Sequence, residues 1–178
     1  MSGKKSAPRD GGRSETGSAI KDALGGVAPT AAAAVATGTH SFTENATSAI
    51  LYELAASEAA LRRSRREDVR AFATLMRDDF SRIQSDLNSF LGGVVGPTSP
   101  PERPMKLHRV LLDDLDGAAD ADFDHRYITQ QKLAHLEAIT LFKAYQKRGD
   151  NDGLKNLCRL GLPVLEEHAR LADELDNA

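Results

Sequence analysis

The stretch "YITQQKLAHLEAITLF", from Tyr127 to Phe142, decides the fold. Tyr127, Gln131, Ala134, His135, Ala138, Leu141 and Phe142 recur at the spacing of one helix face, which predicts a long amphipathic helix with a histidine on its inner side. The pattern extends outward from about Ala121 to Lys147 and adds Phe123 and Tyr145 to the inner face. Arg126, Lys132, Glu137, Lys143 and Lys147 fall on the other side and read as a solvated surface. A single histidine carries no mechanism, so the role of His135 depends on which other residues share the core.

Toward the C-terminus, "RGDNDG" reads as a tight turn into a helix from about Leu154 to Leu175. Its expected stripe is Leu157, Gly161, Val164, His168, Leu171 and Leu175, so a second histidine points inward. Pro163 lies inside this helix, removes one backbone donor and predicts a kink near Gly161. Cys158 reads as a small core residue, and as the one cysteine of the chain it excludes an internal disulfide.

Toward the N-terminus, "MKLHRVLLDDLDG" predicts a short amphipathic helix, with Leu107, Val110, Leu111 and Leu115 packing as a cap over one end of the domain. The proline-rich "GPTSPPERP" before it forbids regular structure. A helix from about Glu67 to Leu91 buries Val69, Phe72, Ala73, Met76, Phe80, Ile83, Leu87 and Leu91. The first long helix runs to about Leu61, opened by the Ser-x-x-Glu spacing of Ser41 and Glu44. Its stripe is Ile50, Leu54, Ser57 and Leu61, flanked on opposite sides by Glu53 and Glu58.

Four long helices and one longer crossing predict an all-α chain: an antiparallel four-helix bundle over residues 41–178, with the short capping helix in the crossing between the second and third long helices. Residues 1–40, rich in Ser, Gly, Ala and Thr, have too few large apolar groups to repay folding entropy and read as a disordered tail. Within them "SAIKDALGG" is a candidate docking segment for the bundle or for a protein partner.

A net charge of −3 over 178 residues gives no general pull toward nucleic acid. The arginines of "RRSRRED" are expected to match helix termini, because no aromatics interleave for base stacking. No stretch reads as a membrane span or an export signal, so the cytoplasm is the expected compartment. No Ser-His-Asp, Cys-His or Gly-rich phosphate signature is read, and catalysis has little support.

Two histidines, His135 and His168, thus point into the core from the third and fourth long helices. Zinc or iron is the ion such donors would hold. The other reading makes both histidines core residues hydrogen-bonded to Glu53, Gln131 or water. Neither histidine has a glutamate three residues before it, which argues against a di-iron centre of the usual kind.

Two further stretches carry a resemblance: "YELAAS…AALRRSRREDVRAFATLMRDDF" and "FDHRYITQQKLAHLEAITLFKAYQKRGDNDGLKNL…LPVLEEH". Together they resemble the bacterial ferritin-like bundles grouped as domain of unknown function 4142, often labelled predicted outer membrane proteins, over about residues 42–176. The resemblance implies a ferritin-like bundle with an inward Glu on the first helix and inward histidines later, mapping to a candidate metal set of Glu53, His135 and His168, with Asp79 joining if the second helix turns slightly. Members usually end the second helix's motif in Asp-His, whereas this chain reads Asp78, Asp79, Phe80. Phe80 thus stands where an imidazole would enter the core. Family members often carry export signals, which makes the periplasm the alternative compartment.

Overall fold

The computed structural model describes residues 37–94 and 101–178, and the regular elements among them are five helices. They are α1 Thr39–Arg63, α2 Glu67–Val94, α3 Lys106–Asp116, α4 Asp120–Arg148 and α5 Asp152–Asp176. The four long ones pack against one another around a single core. Seven of the eight residues expected on the inner face of α2 are buried, from Val69 to Leu91, with Ile83 half-buried. Every residue expected on the inner face of α4 is buried.

Short turns make α1 antiparallel to α2 and α4 antiparallel to α5. Across the bundle, Phe42 meets Phe142 and Tyr145 while Arg63 meets Asp120, so α1 and α4 are antiparallel. Asp79 meets His168 and Arg66 reaches the carbonyl of Leu175, so α2 and α5 are antiparallel as well. The order is therefore up, down, down, up, with one long crossing between α2 and α4.

That topology corrects the expected place of the short helix. α2 ends at one end of the bundle and α4 starts at the other, so the crossing must travel about 40 Å, the length of a helix of this size. Accordingly α3 lies along the side of the bundle, over α1 and α4, and does not cap an end. His108 near its start bonds Ser48 of α1, and its last carbonyls meet Arg63 fifteen residues further along α1. Leu111 and Leu115 are buried as expected, whereas Leu107 and Val110 are half-buried and His108 takes the inward place.

Two other local expectations shift. α1 starts at Thr39, ahead of Ser41, because Thr39 Oγ1 donates to Asp150 Oδ1 at 2.7 Å and pairs with the Tyr145 hydroxyl at 2.9 Å. Gly38 is the N-cap without a side-chain bond, and Ser41 Oγ donates back to the Gly38 carbonyl at 3.1 Å, so the Ser41/Glu44 capping box does not form. On α5 the buried residues are Leu154, Cys158, Leu162, Leu165, His168 and Ala172, while Val164 is 41% exposed. His168 keeps its inward place, and the helix runs unbroken through Pro163, which is on the exposed side. The turn before it is fixed by Asn151, whose side chain accepts from the Leu154 amide at 3.0 Å.

Arg63 is the clamp on the crossing. Its guanidinium donates to the carbonyls of Leu115, Asp116 and Ala118 and to Asp120 Oδ1, and lies 4.5 Å from the Phe123 ring centroid. Carbonyls at a helix C-terminus have no partner within the helix, and a planar cation satisfies several at once. Arg63→Ala is expected to lower stability by about 2–3 kcal/mol, with Arg63→Lys recovering only part. Denaturant unfolding measures the loss, and amide exchange should rise selectively across Lys106–Asp116.

Candidate functional site

The buried positions of α1 around Glu53 include the small residues Ala56, Ser57 and Ala60 beside Ile50 and Tyr52. Glu53 is not at the border of the buried face but within it, 2% exposed. Glu58, expected to mirror it, is exposed and faces Arg62 at 3.7 Å.

Across from Glu53 is His135, 1% exposed, with Nδ1 2.8 Å from the Gln131 carbonyl and 3.8 Å from Glu53 Oε1. The carbonyl can only accept, so Nδ1 carries the proton and Nε2 has a free lone pair, for which there is no partner. The His168 ring stands perpendicular to it, with centroids 5.5 Å apart. His168 Nε2 lies 2.9 Å from Asp79 Oδ2, which leaves Nδ1 as the unpartnered nitrogen. Asp79 is also held by Arg82 and sits at the edge of the core. It reaches His168 with Phe80 still buried at 4%, so no turn of α2 is needed. The Phe80 ring packs against both imidazoles, each with centroids 5.9 Å away.

The four expected residues therefore join in a chain of contacts from Glu53 through His135 and His168 to Asp79. Among the described residues no group of three or more His, Cys, Asp or Glu is placed to hold a metal ion. Burial dominates the electrostatics. It pushes the Glu53 carboxyl up to about 8, with the Gln131 amide pulling weakly the other way. It pulls His135 down to about 4, opposed by the bond to the Gln131 carbonyl. His168 is lowered by burial despite the bond and charge of Asp79. Near neutral pH Glu53 is a carboxylic acid and both imidazoles are uncharged, so the core holds a polar chain without an ion pair.

A second polar cluster escaped the sequence reading. His108 of α3, 4% exposed, bonds Ser48 Oγ through Nδ1 at 2.7 Å, faces Glu137 Oε2 through Nε2 at 3.5 Å, and stacks on Tyr52. Glu137 is thus not on a solvated surface; its side chain is 13% exposed. The three residue types are those of a hydrolytic triad, yet Ser48 is fully buried and its oxygen already accepts from the Met105 amide at 2.7 Å. A nucleophile needs room for its substrate, so this arrangement is a fastener for α3. Its signal was present: His108, Leu111 and Leu115 share the i, i+3, i+7 spacing of one face.

The fold and the buried chain define a helical bundle built around an uncharged polar centre. The profile of the family described as domain of unknown function (DUF4142) matches residues 25–175, and the chain belongs to that family. No curated protein and no solved structure matches it. Among the described residues no helix is long and apolar enough to cross a membrane.

The pH dependence of stability follows from the signs. Glu53 has a folded value above its ordinary 4.5, so its contribution is present below 4.5 and lost as pH rises toward 8. His135 has a folded value below its ordinary 6.5, so its contribution is present above 6.5 and lost as pH falls toward 4. The two oppose each other between 4.5 and 6.5, and Glu53 acts without that opposition above it. Stability is expected to fall by about 2 kcal/mol between pH 6.5 and 8. Urea unfolding at the two pH values measures the fall, and Glu53→Gln should flatten it; an equal slope in the variant would assign the effect elsewhere.

Proposed function

We propose that this protein is a ferritin-like bundle with a non-enzymatic role, a stress-associated or protein-interaction one, and that Glu53, His135, His168 and Asp79 are a degenerate metal centre. The observation that carries the reading is Phe80. Its ring lies 5.9 Å from each imidazole centroid, in the space from which another ligand on α2 would reach them. The connectivity supports the ferritin-like part, because bundles of that kind also have one long crossing. The uncharged state of the chain supports the rest: a carboxylic acid and two neutral imidazoles are stable together without an ion.

A second reading, a resident mononuclear zinc or iron, is favoured by two atoms. His135 Nε2 and His168 Nδ1 are buried without partners, while their other nitrogens bond a carbonyl and a carboxylate, as metal-bound imidazoles do. As placed, the donors do not fit an ion, since none of the described groups brings three ligands together.

Elemental analysis of protein purified without added metal separates the two. The degenerate-site reading expects far less than one equivalent and a thermal midpoint indifferent to chelator; near-stoichiometric zinc or iron decides for the second. Phe80→His tests the shared site directly. The metal-free variant should be less stable than the parent through lost packing. Zinc should restore it by about 2.7 kcal/mol at a hundredfold excess over its dissociation constant. A variant that gains neither metal nor metal-dependent stability would leave His135 and His168 as packed core residues.

A further inference from the structure

At the end of the bundle where α1 begins and α2 ends, the four long helices leave a cavity of about 470 Å³. Phe42, Phe80, Phe90, Phe142, Leu157 and Leu160 form much of its wall. The space exists because small residues, Ala46, Ala49, Ala138 and Gly161, face one another here; a Cβ on Gly161 would already stand 3.2 Å from the Phe142 ring. Protein interiors rarely keep voids larger than a water molecule. Apolar cavities stay dry and take up apolar molecules. Leu160, 59% exposed, marks where the wall reaches solvent.

We propose that this cavity binds a small amphiphile, with one apolar chain inserted between the four helices as far as Phe80 and a neutral or cationic head at Asp86. The volume selects the class of occupant, since it lies within the roughly 300–1,000 Å³ of small-molecule sites. The charge selects the head. Among the described residues lining the cavity Asp86 is the one charged side chain, it is exposed, and its polar companion Asn156 accepts from Arg159, which does not line the cavity. A carboxylate there repels an anionic head and attracts an ammonium or a hydroxyl. The floor is the Phe80 ring whose other contacts are the two imidazoles, so the occupant stops short of the buried polar chain.

The test uses the full-length chain and the uncharged dye N-phenyl-1-naphthylamine, whose fluorescence rises in apolar surroundings. Saturable uptake of one dye per chain is expected, with displacement by 1-aminodecane at about fivefold lower concentration than by decanoate, the worth of one exposed charge. 1-Decanol should fall between them. Asp86→Asn should erase the difference between amine and acid while leaving dye uptake intact. Ala49→Phe, which fills the cavity from α1, should abolish uptake with helix content retained by circular dichroism. No uptake by the parent, because the chain's own residues or a second copy fill the space, overturns the proposal. So does uptake indifferent to Ala49→Phe in the folded variant, or displacement by decanoate as good as by the amine. Should Ala49→Phe fail to fold, the Asp86→Asn comparison decides alone.

Discussion

A carboxyl group enclosed in a four-helix core without a cation beside it can be there only as an acid. Glu53 meets that condition, and the rest of the centre is arranged to allow it. The imidazole 3.8 Å away is kept neutral by its own burial, which outweighs the hydrogen bond that its Nδ1–H donates to the Gln131 carbonyl. The second imidazole is kept neutral by burial as well, against the pull of Asp79, which accepts its Nε2–H and also pairs with Arg82 at the edge of the core. Charge thus grows from the centre outward: an acid, two neutral rings, then a carboxylate near water. Paired ions at the same depth would face desolvation costs of several kcal/mol each, so neutrality is the less costly solution.

The connectivity brings this about. With one crossing that spans the bundle, each long helix is antiparallel to both of its neighbours, and residues near the middle of all four meet at one level. Glu53, Phe80, His135 and His168 are those residues. Phe80 then divides the interior in two, with a polar centre on one side of its ring and an apolar cavity on the other. The crossing in turn needs its own attachment, which Arg63 supplies at one end of α3 and the Ser48–His108 bond at the other.

The sequence made the long helices and the inward histidines legible because their apolar residues repeat without ambiguity, as in α2 from Val69 to Leu91. α5 was harder. Apolar residues come in adjacent pairs there, Leu157 with Cys158, Val164 with Leu165, Leu171 with Ala172, and either member could face inward. The cavity, which no pattern reveals, decides that Leu157 lines its wall while Cys158 packs. The side-lying helix was misplaced for a different reason: its position depends on which end of the bundle each neighbour occupies, a property of topology and not of local spacing. Glu137 followed from that error, since only a helix lying along α4 can cover it. Asp79 was legible as a candidate but not in its role, because one residue of separation from Phe80 puts it at the rim, where it meets the outer nitrogen of His168.

The division of the polar chain between the two helical hairpins has a kinetic meaning. Glu53 and Asp79 belong to the α1–α2 hairpin, His135 and His168 to the α4–α5 hairpin, and each hairpin closes through a turn of a few residues. Contacts within each hairpin are local, whereas the meeting of the two halves has to close the long crossing. Before that event Glu53 is in water and ionised; afterwards it is an acid. The docking step therefore takes up a proton at neutral pH, and the association of the halves should slow as protons become scarce while the closing of each hairpin does not.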